Sequence, residues 1–67
     1  MDEQERILIR KWIHDLNNRV GSILATAELM QLDQQLNPKA KDRAHLIEAK
    51  SLEARDILRQ LGEKFFA

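Results

Sequence analysis

The chain of 67 residues contains no cysteine, so it can form neither a disulfide nor a thiolate metal site. Its two histidines, His14 and His45, lie far apart in the sequence and do not form a metal-ligand pair. Chains this short bury only about 60% of the surface that their unfolded form exposes, and they usually need disulfides, a metal or oligomerisation. We therefore expect a homodimer that holds no metal and no cofactor of its own.

An excess of either charge is also absent, because 11 basic and 11 acidic residues give a formal net charge of zero. Nucleic-acid-binding domains normally carry a basic excess, so we expect no nucleic-acid partner. Uninterrupted apolar runs are too short for a membrane span, and no secretory signal pattern occurs. These absences predict a soluble, cytoplasmic protein that makes no membrane contact.

Glycine occurs twice and proline once, and two long helical patterns occupy most of the sequence. The first pattern covers about residues 3–32 and the second about residues 38–64. In both, apolar residues recur in alternating steps of four and three, which is typical of a helix that packs along a bundle axis. This apolar seam consists of Ile9, Ile13, Leu16, Val20, Ile23, Ala27 and Met30 in the first helix, and of Ala40, Ala44, Ile47, Ser51, Ala54, Leu58, Leu61 and Phe65 in the second.

A polar connection over about residues 33–37 separates the two helices. Asn37 is the predicted N-cap of the second helix, and Pro38 suits its first turn. Such a short connection predicts an antiparallel hairpin, in which Ile23 lies opposite Ile47. One hairpin cannot enclose its own apolar stripe. The sequence therefore predicts an all-α protein in which two hairpins form a homodimeric four-helix bundle.

His14 directly follows the seam residue Ile13, so its side chain is expected to lie beside the core and point outward. Residues three, four and seven positions away share that surface, and they are polar, basic or without a side chain. The predicted partner-binding set combines these residues with further basic residues on the bundle surface. It consists of Arg10, Lys11, Asn17, Arg19, Gly21, Arg55 and Arg59. An accessible basic surface suits an acidic protein partner or a phosphate.

Three neighbouring side chains carry a candidate chemistry. The neutral imidazole of a residue such as His14 is nucleophilic near pH 7. Asp15 can fix the ring tautomer by a hydrogen bond if its side chain leans back towards the ring. Asn18, one helical turn later, can orient a water or contact a phosphoryl oxygen. Gly21 costs about 1 kcal/mol relative to alanine in a helix, which favours a close approach by a neighbour at that position.

The string His14-Asp15-x-x-Asn18 resembles the H-box of the dimerisation and histidine-phosphotransfer (DHp) domain of sensor histidine kinases, and the likeness continues through Leu29. It is also similar to the sporulation-type phosphotransferases, which are hairpin dimers without kinase activity. The resemblance implies that His14 carries a phosphoryl group, that Asp15 assists its transfer, and that Asn18 supports dephosphorylation of the partner. The implied partner is the aspartate of a response-regulator receiver domain, and Mg²⁺ is expected only on that receiver or on a kinase domain.

Two departures limit what the resemblance implies. Many sensor kinases have proline where this chain has Arg19, so we expect a straighter first helix here. No glycine-rich nucleotide lid or asparagine-bearing nucleotide box follows the hairpin. We therefore expect that the chain does not phosphorylate itself from ATP. We expect either a stand-alone phosphohistidine carrier of two-component signalling or a piece of a larger kinase. A separate or fused ATP-binding domain is then a further partner.

Two other functions fit the same sequence. The first is a dimerisation or regulatory hairpin that binds a kinase or receiver without carrying phosphate, because the apolar seam and the histidine motif are separable features. The second is a helical adaptor outside signalling that buries Trp12 and Phe65 against a partner. An exposed helical histidine is usually a plain surface residue, so these alternatives stay open at the level of the sequence.

Overall fold

The computed structural model describes residues 1–66, which form two helices, α1 over Glu3–Leu32 and α2 over Pro38–Phe66. Residues 33–37 connect them, and the helices pack side by side as an antiparallel hairpin that measures 51 × 15 × 14 Å. No strand occurs over residues 1–66, so the predicted all-helical hairpin is confirmed. Neither helix contains a stretch that is long and apolar enough to cross a membrane.

Both helices begin at the capping residue that their sequences favour. Asp2 precedes α1, and its Oδ1 accepts a hydrogen bond of 2.8 Å from the Glu5 backbone N–H. This backbone hydrogen bond holds the pKa of Asp2 below its usual value. Asn37 caps α2, because its Oδ1 accepts a 2.8 Å hydrogen bond from the Ala40 N–H, and Pro38 occupies the first turn.

Each helix is continuous over its whole length. α1 passes through Arg19 without a π-helical or 3₁₀ interruption, in keeping with the absence of proline there. α2 continues to Phe66, beyond the end near residue 64 that the sequence suggests. Gly62 does not end the helix, because no glycine has the positive φ that a glycine C-cap requires.

The two helices meet through a narrow core of small and medium-sized side chains. Ala27 is 1% exposed and Ala44 is 0% exposed, and such small side chains let the two backbones approach closely. The buried Ser51 hydroxyl donates a 2.7 Å hydrogen bond to the Ile47 carbonyl oxygen, which satisfies it within its own helix. The buried residues of the described chain are Leu24, Ala27, Ala44, Ser51 and Leu58.

Five of the fifteen predicted seam residues are exposed and are not covered by the neighbouring helix. Leu16 and Ile23 are 49% and 50% exposed, and Phe65 is 50% exposed. Leu24, one position after Ile23, is the residue that packs into the core. The reason is geometric, because a bundle seam faces the bundle axis, whereas one neighbouring helix covers only the edge of the stripe that faces it.

The uncovered seam forms an open groove along one side of the hairpin, which we call the apolar groove. Two adjacent depressions of about 270 Å³ and 410 Å³ lie along it, and Ile23 and Ile47 line both of them. Its apolar lining residues are Val20, Ile23, Ala27 and Met30 from α1, and Leu46, Ile47 and Ala54 from α2. The predicted pair Ile23 and Ile47 therefore lies at the rim of the core.

The hairpin exposes more surface than a compact protein of its size. Its total accessible area is 5474 Å², whereas a compact monomer of this mass exposes about 4,400 Å². The excess of about 1,100 Å² is larger than the roughly 800 Å² that each partner buries in a standard protein interface. The chain therefore carries enough uncovered surface for an interface of standard size.

Candidate functional site

His14 lies exposed on α1, on the side of that helix opposite the apolar groove. Ile23 follows it by nine positions, and at about 100° per residue the two side chains point in nearly opposite directions. Leu24, which packs against α2, lies about 80° around the helix from His14. The imidazole therefore stands beside the interhelical contact and remains accessible when the groove is covered.

Asn18 is the residue whose side chain contacts the His14 ring. Its Nδ2 lies 3.5 Å from His14 Nε2, which is long for a hydrogen bond. The two residues are one helical turn apart, so the contact follows from ordinary side-chain geometry on one helix face. The structure thus brings together two of the three residues that the sequence assigns to the chemistry.

Asp15 is not part of that contact. It is half-buried, and it precedes Leu24 by nine positions, so it faces away from α2. No hydrogen bond or ion pair joins its carboxylate to His14 or to any other residue over residues 1–66. The direct hydrogen bond by which Asp15 could fix the ring tautomer is not formed in the hairpin, because adjacent helical side chains diverge by about 100°.

Gly21 lies one turn beyond Asn18 and faces open space. A Cβ atom added there would meet nothing within 4 Å, although the residue is only half-exposed. α2 therefore does not provide the close approach that would explain a glycine within a helix. Any such neighbour must come from outside the hairpin.

Arg10 is engaged at the open end of the hairpin and does not surround His14. Its guanidinium carbon lies 4.9 Å from the centroid of the Phe66 ring, and that of Arg6 lies 6.0 Å from it. Both distances are within the range of a cation–π interaction. Helical side chains point towards the N-terminus of their helix, which carries the Arg10 guanidinium away from His14.

Arg59 lies on the same side of the hairpin as His14, because it follows the groove residue Lys50 by nine positions. Two carboxylates of its own helix hold its guanidinium, since Nη2 donates to Asp56 and Nη1 donates to Glu63 at 3.1 Å. The hydrogen bond from Arg59 is the main reason that the pKa of Asp56 lies below its usual value. Arg59 therefore has carboxylate partners along α2.

The other predicted partner-binding residues are distributed around the hairpin. Lys11, Arg19 and Arg55 are exposed and form no ion pair with any other residue in the described part of the chain. Arg19 lies about 140° around α1 from His14, so it does not share the histidine surface. Asn17 is half-buried and faces α2.

Two hydroxyl groups bond back along α1 beside the site, a feature that the sequence analysis did not anticipate. Ser22 Oγ donates to the Asn18 carbonyl oxygen at 3.2 Å, and Thr26 Oγ1 donates to the Ser22 carbonyl oxygen at 2.9 Å. Such bonds compete with the helical N–H groups for the same acceptors. The spacing of a serine and a threonine by four positions in a predicted helix is the sequence signal that could have indicated them.

Over residues 1–66, no group of three or more histidine, aspartate or glutamate side chains is arranged to hold a metal ion. Comparisons of the chain with protein-family models, with curated proteins and with solved structures found no match.

Proposed function

We propose that this chain is a phosphohistidine carrier of two-component signalling, in which His14 exchanges a phosphoryl group with the aspartate of a cytoplasmic response-regulator receiver domain. The observation that supports the proposal most is the separation of two surfaces on α1. His14 is exposed on one side, and the apolar groove through Ile23 opens on the other. A carrier needs such a separation, because its histidine must enter another protein's active site while its assembly surface is occupied.

A second copy of the chain is the proposed occupant of the apolar groove. The excess surface of about 1,100 Å² per chain exceeds the roughly 800 Å² that a standard interface buries on each partner. Two hairpins related by a two-fold axis would bury the same groove on both chains and complete a four-helix bundle. The two His14 side chains would then lie on the outside of the bundle.

The proposed step transfers the phosphoryl group without a change in oxidation state. A lone pair on a His14 ring nitrogen forms a bond to phosphorus while the P–O bond to the receiver's aspartyl carboxylate breaks. The electron pair of that bond leaves with the carboxylate, and the ring proton on the other nitrogen passes to a base or to water. Asp15, whose carboxylate has no partner in residues 1–66, is the proposed base, and Asn18 positions the phosphoryl oxygens or a water.

The test uses the full chain and phosphoramidate, a small donor that phosphorylates accessible histidines. Wild type, His14→Gln and His45→Gln are phosphorylated, freed of donor and mixed with a panel of receiver domains. We expect acid-labile, alkali-stable label that passes to a receiver aspartate from wild type and from His45→Gln but not from His14→Gln. Because His45 is also exposed on a helix, it is the matched control. Transfer that persists in His14→Gln contradicts the proposal.

A second function is favoured by the apolar groove alone. A dimerisation or regulatory hairpin would use the groove through Ile23 and Ile47 to assemble and would bind a kinase or receiver without carrying phosphate. In that case His14→Gln leaves signalling intact, whereas Ile23→Glu abolishes it by placing a charge in the interface. Leu29→Glu is the matched control, because Leu29 is 68% exposed on the same helix and does not line the groove.

A further inference from the structure

We infer that Asn18 is a positioning residue that sets the tautomer of His14, keeping the ring proton on Nδ1 and the lone pair on Nε2. The inference starts from the contact of 3.5 Å between Asn18 Nδ2 and His14 Nε2. A carboxamide nitrogen is a donor and not an acceptor, so this contact becomes a hydrogen bond only in the tautomer whose Nε2 is the acceptor. A neutral imidazole that accepts at Nε2 carries its proton on Nδ1.

No competing contact in the described chain opposes this assignment. Asp15, the other candidate for fixing the tautomer, faces away from α2 and makes no hydrogen bond to the ring. A free imidazole prefers its proton on Nε2, so a donor beside Nε2 works against that intrinsic preference. Asn18 therefore shifts the tautomer population of His14 towards Nδ1–H, against the preference of the free ring.

The consequence for phosphoryl transfer rests on the proposed function, whereas the tautomer itself does not. A phosphoryl group attaches at the nitrogen that has a lone pair, and Asn18 keeps that lone pair on the nitrogen nearest to its own side chain. The residue that contacts the phosphoryl oxygens later would thus also present the nucleophile beforehand. His14 would enter the reaction with its lone pair already on the reacting nitrogen, so the incoming phosphoryl group only has to displace the Asn18 amide and no prior proton shift is needed.

The test measures the tautomer ratio directly, by long-range ¹H–¹⁵N correlation spectra of the full chain labelled at histidine. Spectra are recorded at alkaline pH, where the rings are neutral. His45 is an internal reference, because it is exposed on a helix, has Ala49 one turn later and forms no side-chain hydrogen bond in the described chain. We expect the Nδ1–H to Nε2–H ratio of His14 to exceed that of His45 about two- to threefold, the low end of what a neutral hydrogen bond provides.

Two variants of Asn18 give opposite predictions. Asn18→Ala removes the donor, and the ratio at His14 should fall to that of His45. Asn18→Asp offers only acceptors, which favours Nε2–H and should reverse the difference between the two histidines. Asn18 is exposed and alanine is the better helix former, so loss of folding does not obscure the result. Asp15→Asn should leave the ratio unchanged.

The inference is overturned if His14 and His45 have equal ratios in wild type, or if Asn18→Ala leaves the His14 ratio unchanged. It is also overturned if Asp15→Asn abolishes the difference, since Asp15 would then set the tautomer. If phosphoryl transfer through His14 is observed but Asn18→Ala leaves the tautomer ratio of His14 unchanged, the proposed function stands and this inference fails. If the tautomer ratio depends on Asn18 but no phosphoryl transfer is observed, this inference stands and the proposed function fails.

Discussion

Replacing Gly21 by alanine should stabilise the protein and at the same time impair the proposed phosphoryl transfer to a receiver. Glycine within a helix costs about 1 kcal/mol relative to alanine. The added methyl group meets nothing within 4 Å in the hairpin, so no steric term offsets that gain. For a domain of this size, 1 kcal/mol corresponds to an increase of about 4–8 °C in the thermal midpoint.

The assay is unfolding by heat and by urea, followed by far-ultraviolet circular dichroism at one fixed protein concentration, because the midpoint of a dimer depends on concentration. Gly62→Ala is the matched control, since a Cβ added there also meets nothing within 4 Å. Both variants should be more stable than wild type. If Gly62→Ala stabilises the chain and Gly21→Ala does not, a neighbour already fills the space at Gly21, and the reasoning from the open hairpin is refuted.

The second half of the prediction concerns the histidine surface. If a receiver packs over Gly21, the extra methyl group overpacks that interface, which typically costs 1–3 kcal/mol. The rate of phosphoryl transfer from His14 should then fall about fivefold or more, while the folded population rises. Unaltered transfer from a stabilised Gly21→Ala variant would mean that the partner does not contact this part of α1.

Three further predictions follow from the fold. Ile23→Glu should convert the proposed dimer into monomer in sedimentation equilibrium, because it places a charge in the apolar groove; a dimer that survives this change does not use the groove. Asn37→Ala should destabilise the chain by about 1 kcal/mol in urea unfolding, because it removes the cap on α2, whereas Asn37→Asp should restore stability. The hydrogen bond from Arg59 lowers the pKa of Asp56, so the folded chain binds that proton more weakly than the unfolded chain. Its stabilising contribution is present above about pH 4 and is lost as the pH falls through the lowered pKa, so the urea midpoint of wild type should fall more steeply in acid than that of Asp56→Asn.

The starts of the two helices were predictable because the signals that set them are local. Asp2 and Asn37 cap the two helices through contacts to residues three positions later, and Pro38 fixes the first turn of α2. Such contacts need no information about the rest of the fold. The exposure of His14 followed in the same way from its position next to the seam residue Ile13.

The division of the apolar stripe was not predictable from the sequence. Periodicity defines a stripe wide enough for two neighbours, and it does not say which edge faces the other helix of the same chain. Leu24 and Ile23 differ by one position, yet the first is 7% exposed and the second 50% exposed. The difference depends on how α1 is rotated against α2, which is a property of the packed pair.

The positions of long side chains also differed from those expected from the sequence. Arg10 was expected near His14, yet its guanidinium lies over Phe66 near the other helix's end. Spacing along a helix locates a Cα atom, whereas an arginine head group can lie several ångströms away in any of many rotamers. Asp15 is a second example, because it directly follows His14 in the sequence and yet makes no hydrogen bond to the imidazole.

The opposed directions of His14 and Ile23 on α1 would also determine how many receivers the proposed dimer can bind. In a dimer closed across the apolar groove, the two imidazoles point away from each other, and each is bordered by residues of its own chain. Two receivers would then bind without touching, with equal intrinsic affinities and a stoichiometry of one per chain. The binding curve should be hyperbolic, and occupation of one histidine should carry no steric penalty for the other.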